Sequence, residues 1–315
     1  MPLISICITC FNAEDSIERA INSALSQDYK NFEVLVVDDG STDGSLAILE
    51  KKSTQHPIIR LIKNQNNYGC AYSRNVLIHA ARGEFIVFFD DDDVSRHDRL
   101  TLQYNKIISL EREKNTKMIC CYTSGGKIYP NGYKTSFQAV GCKGNLPTGL
   151  EMADFLLFAK RLTNVFYGSG APTCSLMLRK SVFKEIGYFD DKFKRQEDID
   201  FAVRFGLNRG HFIGIPEPVL TQYSTNDQTN KSAKIEFEST MQLIEKNRNY
   251  LISKNSYHYI RLWTKMRYLH FANQDLRALI VLIRLTFFYP IRTIQHFAIS
   301  ATKRFLHEKR MNRNG

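Results

Sequence analysis

The first 90 residues alternate between two hydrophobic periods. Leu3–Thr9 is a short apolar run that reads as a buried strand. Ile17, Ala20, Ile21, Ala24 and Leu25 then recur at i, i+3, i+4, i+7 and i+8, which is one face of a helix. Asn12 is placed to cap that helix, with Glu14 and Asp15 in a first turn whose dipole favours negative charge. The alternation repeats: Phe32–Val37 predicts a strand, Gly44–Lys52 a helix, Ile58–Lys63 a strand and Cys70–Ala81 a helix closed by Gly83. Glu84–Phe89 predicts a fourth strand, which runs into four consecutive aspartates, Asp90–Asp93. Strands alternating with helices predict a mostly parallel α/β sheet flanked by helices. Ligands of such sheets sit at the carboxyl ends of strands. The polar clusters Thr9–Asn12, Asp38–Ser41 and Asp90–Asp93 all fall there.

Beyond this block the pattern changes twice. Residues 118–180, with Gly125, Gly126, Pro130, Gly132, Gly141, Gly144 and Pro147, predict turns and short strands. A helix is expected at Arg99–Leu110, and Phe237 onward reads as mainly helical. A soft boundary near residue 228 divides a catalytic domain, 1–228, from a C-terminal helical region, 229–315. Charge follows the same division. Of 43 Lys+Arg and 32 Asp+Glu in the 315 residues, 1–228 holds 27 of each, so 229–315 supplies the whole net charge of +11.

Cys7 and Cys10 are spaced like a redox or metal pair, but an odd offset in a strand points them to opposite faces, so they read as core thiols. The cysteine pattern and the lack of a secretory signal suit a reducing cytoplasm. Ala278–Ile291, the most apolar late run, is broken by Arg284 and Pro290 and is too short to span a bilayer.

Four aspartates ending an apolar strand raise one another's pKa or require a cation, and carboxylate oxygens suit Mg²⁺ or Mn²⁺. A solvated acidic turn is the alternative. Ordered motifs tip the balance. Ile4–Asn12, Val36-Val37-Asp38-Asp39-Gly40-Ser41, Asn67-Tyr68-Gly69 before Ser73-Arg74-Asn75, Gly83–Asp93, Gly187-Tyr188-Phe189-Asp190 and Glu197-Asp198-Ile199-Asp200 follow one another along residues 3–228. In that order they resemble the inverting glycosyltransferases of family 2, which have the Rossmann-like GT-A fold.

The resemblance implies roles. Thr9, Phe11, Asn12 and Glu14 would line a nucleotide pocket, and Asp39 would accept from a uracil imide. Gly69 and Arg74 would face the nucleotide, and Asp90 and Asp91 would lie near the ribose. Asp92 would hold the metal, with Asp93 as the alternative, and Asp198 would be the catalytic base. It implies a metal-dependent hexosyl- or N-acetylhexosaminyl-transferase acting on a UDP-sugar, with a saccharide or lipid-linked acceptor, in surface polysaccharide or lipopolysaccharide synthesis. A catalytically silent nucleotide-sugar-binding or scaffold protein is the alternative. The family's usual Tyr-x-x-His is absent: Asn226, followed by Asp227, stands where the His is expected.

The C-terminal region interleaves Tyr250, Tyr257, Tyr259, Trp263, Tyr268, Phe271, Phe287, Phe288, Tyr289, Phe297 and Phe305 with Lys and Arg. A membrane-surface role suits that composition; a self-contained helical core or homo-oligomer interface competes with it. Nucleic acid is not expected as a partner, because the body is neutral. The basic end, Lys303 to Arg313, would sit on anionic headgroups at the inner face of the cytoplasmic membrane.

Overall fold

The computed structural model describes residues 1–224 and 232–298. The alternating first block forms β1 (Ile4–Cys10), α1 (Ile17–Leu25), β2 (Phe32–Asp38), α2 (Ser45–Gln55), β3 (Ile59–Lys63), α3 (Cys70–Ala80) and β4 (Phe85–Asp90). These are the expected elements, within a few residues at their ends. Strand order β3-β2-β1-β4 is parallel throughout. Register matters here. Cys10 lies opposite Asp38 and Thr9 opposite Asp90, so three polar strand ends finish at one level.

The two faces of the sheet carry separate cores. Ile6, Ile8, Cys10, Val34, Val36, Val87 and Phe89 pack on one side, and Cys7, Leu35, Val37, Ile86 and Phe88 on the other. Cys7 and Cys10 are thus buried core thiols on opposite faces, as period-two geometry requires.

Asn12 does not cap α1. Ser16 holds that position, and Asn12 adopts a left-handed conformation, φ 50°, which asparagine tolerates better than most residues. Its Oδ1 accepts instead from the Thr42 amide at 2.8 Å, tying the β1 end to the β2 end.

The second half of the sheet is mixed. After β5 (Val94–Ser95) and α4 (Arg99–Lys114) come β6 (Ile119–Ile128), β7 (Lys134–Phe137), α5 (Gly149–Phe158), β8 (Met177–Arg179), α6 (Ser181–Ile186), α7 (Glu197–Leu207) and β9 (His211–Tyr223). β8 joins β4 antiparallel, and β6 pairs with β8 antiparallel and with β9 in parallel. Gly125 and Gly126 sit inside β6 rather than in a turn. A Cβ on Gly125 would stand 2.1 Å from the Leu220 carbonyl oxygen, beside a register shift between β6 and β9. A glycine in mid-strand here marks close backbone approach. α5 begins with a capping box between Thr148 and Glu151, a start signal legible in the Thr-x-x-Glu spacing.

The C-terminal chain folds as α8 (Ala233–Lys246), α9 (Arg248–Ser253), α10 (Tyr257–Phe271) and α11 (Asp275–Phe288). Its core is shared with the body: Leu157, Phe193 and Val203 pack with Leu243, Leu251, Tyr257 and Trp263. Lys246 of α8 reaches the buried Asp200 of α7 at 2.8 Å and Asp190 at 2.7 Å.

The aromatics therefore divide. Tyr257, Tyr259 and Trp263 are buried, while Phe271, Phe287 and Phe288 are exposed. On α11, Leu276, Leu279, Ile280, Ile283 and Phe287 form one exposed apolar stripe, and Ala278, Val281 and Leu285 face inward. Arg277 and Arg284 are exposed on the same helix. Among the described residues no single helix is long and apolar enough to cross a membrane; α11 and Pro290–Ala298 form a pair bent by 120°.

Candidate active site

The aligned strand ends open into a cleft of about 970 Å³. Thr9, Phe11, Asp39, Gly69, Arg74, Asp90, Asp91, Asp92 and Asp198 all line it. Asn12 and Glu14 do not. Glu14 Oε2 accepts from the Gly44 amide at 2.7 Å, and the Glu14 amide donates to Asp43, so this side chain holds the loop before α2 rather than a ligand. Asn12 likewise serves Thr42. Both stabilise the cleft from outside its walls.

Asp39 is buried and organises the segment before α3. Its Oδ1 accepts from Asn64 Nδ2 at 2.7 Å and from the Tyr68 amide at 3.2 Å, and Oδ2 accepts from the Gly69 amide at 2.8 Å. A carboxylate offers about four acceptor positions, so three internal donors leave room for one from a ligand. Gly69 has φ 92°, a conformation side chains rarely adopt, and this turn delivers its amide to Asp39 while starting α3.

The four aspartates do not point one way. Asp91 Oδ2 accepts from the Phe11 amide at 3.1 Å, fixing the acidic turn to the β1 end. Arg19 donates to the Asp92 backbone carbonyl at 2.9 Å, leaving the Asp92 carboxylate to the cleft. Asp93 turns inward, where it is buried and accepts from Gln222 at 3.3 Å. Withdrawal from water, and then repulsion from neighbouring aspartates, push Asp91 up to about 7 and Asp93 up to about 8 and raise Asp92; Asp90 is raised by burial and by Glu197, against the opposing pull of Arg74 and Arg99. Beneath them lies Arg99, fully buried, donating to the Phe88 and Cys174 carbonyls and to Ser95 and Gln103. Ligand atoms of Asp90, Asp93 and Cys174 also lie within 4.8 Å of one another, but of this mixed oxygen–sulfur trio Asp93 and Cys174 are buried behind the cleft wall and Asp90 alone lines the cleft. The cleft-facing set is all hard oxygen and short of cations, and that fits Mg²⁺ or Mn²⁺.

The opposite wall comes from α7. Asp198 stands in its first turn, followed by Phe201, Ala202 and Phe205 on the buried face. Burial, and then the neighbouring Glu197, push Asp198 up to about 6, with Arg74 acting in the lowering direction. Arg74 is itself buried. Its Nη1 bonds Glu197 at 2.8 Å and its Nη2 lies 3.9 Å from Asp90. One guanidinium thus ties the strand that carries the aspartates to the helix that carries Asp198.

Several lining residues stand outside the motifs. Lys194, Arg195 and Gln196 precede α7, and Ile235 and Glu236 come from α8. Gln196 donates to Glu236 at 2.6 Å, so the C-terminal region closes one side of the cleft. The Lys-Arg-Gln run directly before Glu197-Asp198 was a readable hint; Glu236 carried none. Asn226, Asp227 and the basic run from Lys303 to Arg313 lie outside the described residues.

A cleft of this make-up, on this sheet, can be compared with known proteins. The glycosyl transferase family 2 model matches residues 5–187. The chain belongs to that family. It is 31% identical over 211 residues to the putative glycosyltransferase EpsE of Bacillus subtilis, covering 65% of this chain and 66% of that one. It is 39% identical over 116 residues to an Escherichia coli UDP-Glc:alpha-D-GlcNAc-diphosphoundecaprenol beta-1,3-glucosyltransferase, covering 36% and 43%. An uncharacterized Haemophilus influenzae glycosyltransferase matches at 39% over 105 residues, 33% of this chain and 42% of the relative. These matches span two thirds or less of each relative's own length. Among solved structures, S. aureus TarS 1-349 in complex with UDP-GlcNAc superposes with TM-score 0.60 at 22% identity, covering 86% of this chain and 74% of TarS 1-349. A second TarS 1-349 structure, in complex with UDP, gives 0.59 at the same identity, covering 86% and 73%. At that identity the likeness establishes the family 2 chain's α/β fold, with its curled, largely parallel sheet and C-terminal helices.

Proposed function

We propose that this chain is a metal-dependent inverting glycosyltransferase that moves a sugar from a UDP-sugar to a saccharide or lipid-linked saccharide in bacterial surface polysaccharide assembly. The observation that carries this reading is the meeting, across one cleft, of the clustered carboxylates Asp90–Asp92 with the half-buried carboxylate Asp198. UDP-bound TarS and the diphosphoundecaprenol-linked acceptor in the E. coli relative's name support the donor and acceptor classes.

In this reading Asp39, Gly69 and Phe11 receive the uridine, and Asp90 and Asp91 lie near the ribose. Asp92 would hold Mn²⁺ or Mg²⁺ with the diphosphate. When bound, the cation neutralises charge developing on the leaving group. Asp198 accepts the proton of the acceptor hydroxyl as its oxygen attacks the anomeric carbon. The bond from that carbon to the diphosphate oxygen breaks, and UDP leaves with the electron pair. A carboxyl raised to about 6 is still mostly ionised at pH 7 and is a stronger base than an ordinary aspartate.

The exposed stripe on α11, with Arg277 and Arg284 beside it, supports a resting place at an anionic membrane surface. The test of the transferase reading is a turnover screen of nucleotide sugars with Mn²⁺ and Mg²⁺. Metal-stimulated hydrolysis or transfer of at least one UDP-sugar is expected; UDP binding without turnover of any donor would favour the silent-binder alternative.

A further inference from the structure

Three consecutive residues of α3 reach three different parts of the molecule, because each step along a helix turns the side chain by about 100°. Ser73 Oγ accepts from Asn64 Nδ2 at 3.0 Å, and the same amide serves Asp39 at 2.7 Å, on the nucleotide side of the proposed site. Asn75 grips the chain ahead of α7. Its Nδ2 donates to the Phe189 carbonyl at 2.8 Å, and its Oδ1 accepts from the Phe189 amide at 3.0 Å. Arg74, between them, donates from Nη1 to Glu197 at 2.8 Å and lies over the Phe189 ring, 5.5 Å from its centre. α3 therefore holds the approach to α7 and its first residue at once.

This bracket decides how one buried guanidinium is shared among several acids. Glu197, Asp90 and Asp198 all attract Arg74. Glu197 takes the direct contact, Asp90 stands off at 3.9 Å, and Asp198 forms no ion pair with the described residues. An Asp198 oxygen accepts instead from the Ile199 amide at 2.7 Å. Asp198 shares the cleft with Asp90 of β4, with Asp191, Lys194 and Arg195 ahead of α7, and with Glu236 of α8, and it interacts electrostatically with Tyr122 of β6. Position matters because a carboxylate in a direct ion pair loses basicity: the cation favours its charged form.

We propose that Glu197 is a positioning residue for the transfer reaction, holding the Arg74 guanidinium away from Asp198 so that the base meets the acceptor hydroxyl unpaired. Shortening or neutralising Glu197 releases the guanidinium to the next residue of the same helix turn, and Asp198 becomes a weaker base. Asn75 supports the arrangement by fixing the backbone ahead of α7. This deepens the transferase reading and rests on it.

The test is a carbon-13 NMR titration of the full chain, without metal, labelled at the aspartate carboxyl carbons. The Asp198 signal is the one lost in Asp198→Asn, and its wild-type midpoint is expected near about pH 6. Glu197→Gln is expected to lower that midpoint by at least about one pH unit, a roughly tenfold change in acid strength. Glu197→Asp keeps the charge and withdraws it by one methylene; a fall of at least about half a unit, roughly threefold, is expected. The second variant separates position from charge, since a mere like-charge neighbour would leave the Glu197→Asp midpoint in place. Retained cooperative thermal unfolding assigns each shift to the folded chain, and should Glu197→Gln fail to fold, Glu197→Asp alone decides. An unchanged or raised midpoint in Glu197→Asp overturns the inference. Failure of the wild-type chain to bind UDP, or full transfer by Asp198→Asn, would instead remove the transferase reading or its base, so the two failures are distinguishable.

Discussion

The cleft and the C-terminal helices solve opposite electrostatic problems. At the strand ends the chain gathers more negative charge than its own cations neutralise, and the carboxylates respond by holding protons. Along α10 and α11, among the described residues, Lys265, Arg267, Arg277 and Arg284 form no ion pair, and Leu276, Leu279, Ile280, Ile283 and Phe287 are exposed. The first gathers carboxylates in excess of cations, the second leaves cations and an apolar stripe exposed. Charge withdrawn from water must find a partner or a proton, whereas exposed cations and apolar groups leave a surface open to one.

The largest expected effect tests the cleft side. Asp198→Asn should lower transfer by roughly 10³-fold, within the range for losing a general base, and leave UDP affinity unchanged. In the same measurement the wild-type rate should fall about tenfold per pH unit below about pH 6, as Asp198 takes up its proton, while the variant's residual rate should lack that slope. A variant retaining a tenth of the activity would move the base elsewhere and dissolve the contrast between the two walls.

Next comes the helical side. Ile283→Glu with Phe287→Glu removes two exposed apolar groups from α11, each worth about 1.5–3 kcal/mol when buried. Flotation of the full chain with anionic phosphatidylglycerol vesicles should then drop at least tenfold, with the melting temperature preserved because neither residue is in the core. Equal flotation of variant and wild type would leave the stripe to a protein partner.

The smallest effect probes the junction between the regions. Lys246→Met strands the buried Asp200, which keeps only Arg204 at 2.8 Å. Breaking a buried pair costs about 3–5 kcal/mol. Lys246 is a third exposed, so about 2 kcal/mol is expected in denaturant unfolding. A single unfolding transition should persist; separate transitions would mean that body and helices are independent after all.

The sequence was legible where chemistry coincides with periodicity. β1 to β4 and their helices follow from alternating hydrophobic periods, and parallel register then brings Thr9, Asp38 and Asp90 to one level. Asp39, Gly69, Arg74 and Asp198 could be named because the motifs that hold them are short and local. What stayed hidden depended on contacts between distant segments. Nothing adjacent to Asn12 reveals that Thr42 claims its side chain, and nothing in Gly125 reveals the Leu220 carbonyl beside it. Nor does helical periodicity in 233–246 reveal that Glu236 borders the cleft. The role of the aromatics in α10 was equally open, because spacing alone does not say which of two helix faces finds a partner.

The bond from Gln196 to Glu236 has a practical consequence for anyone recombining such enzymes. A crossover placed between β9 and α8 would separate two halves of one wall. A graft of foreign C-terminal helices onto this sheet needs residues 195–196 chosen to match the incoming helix.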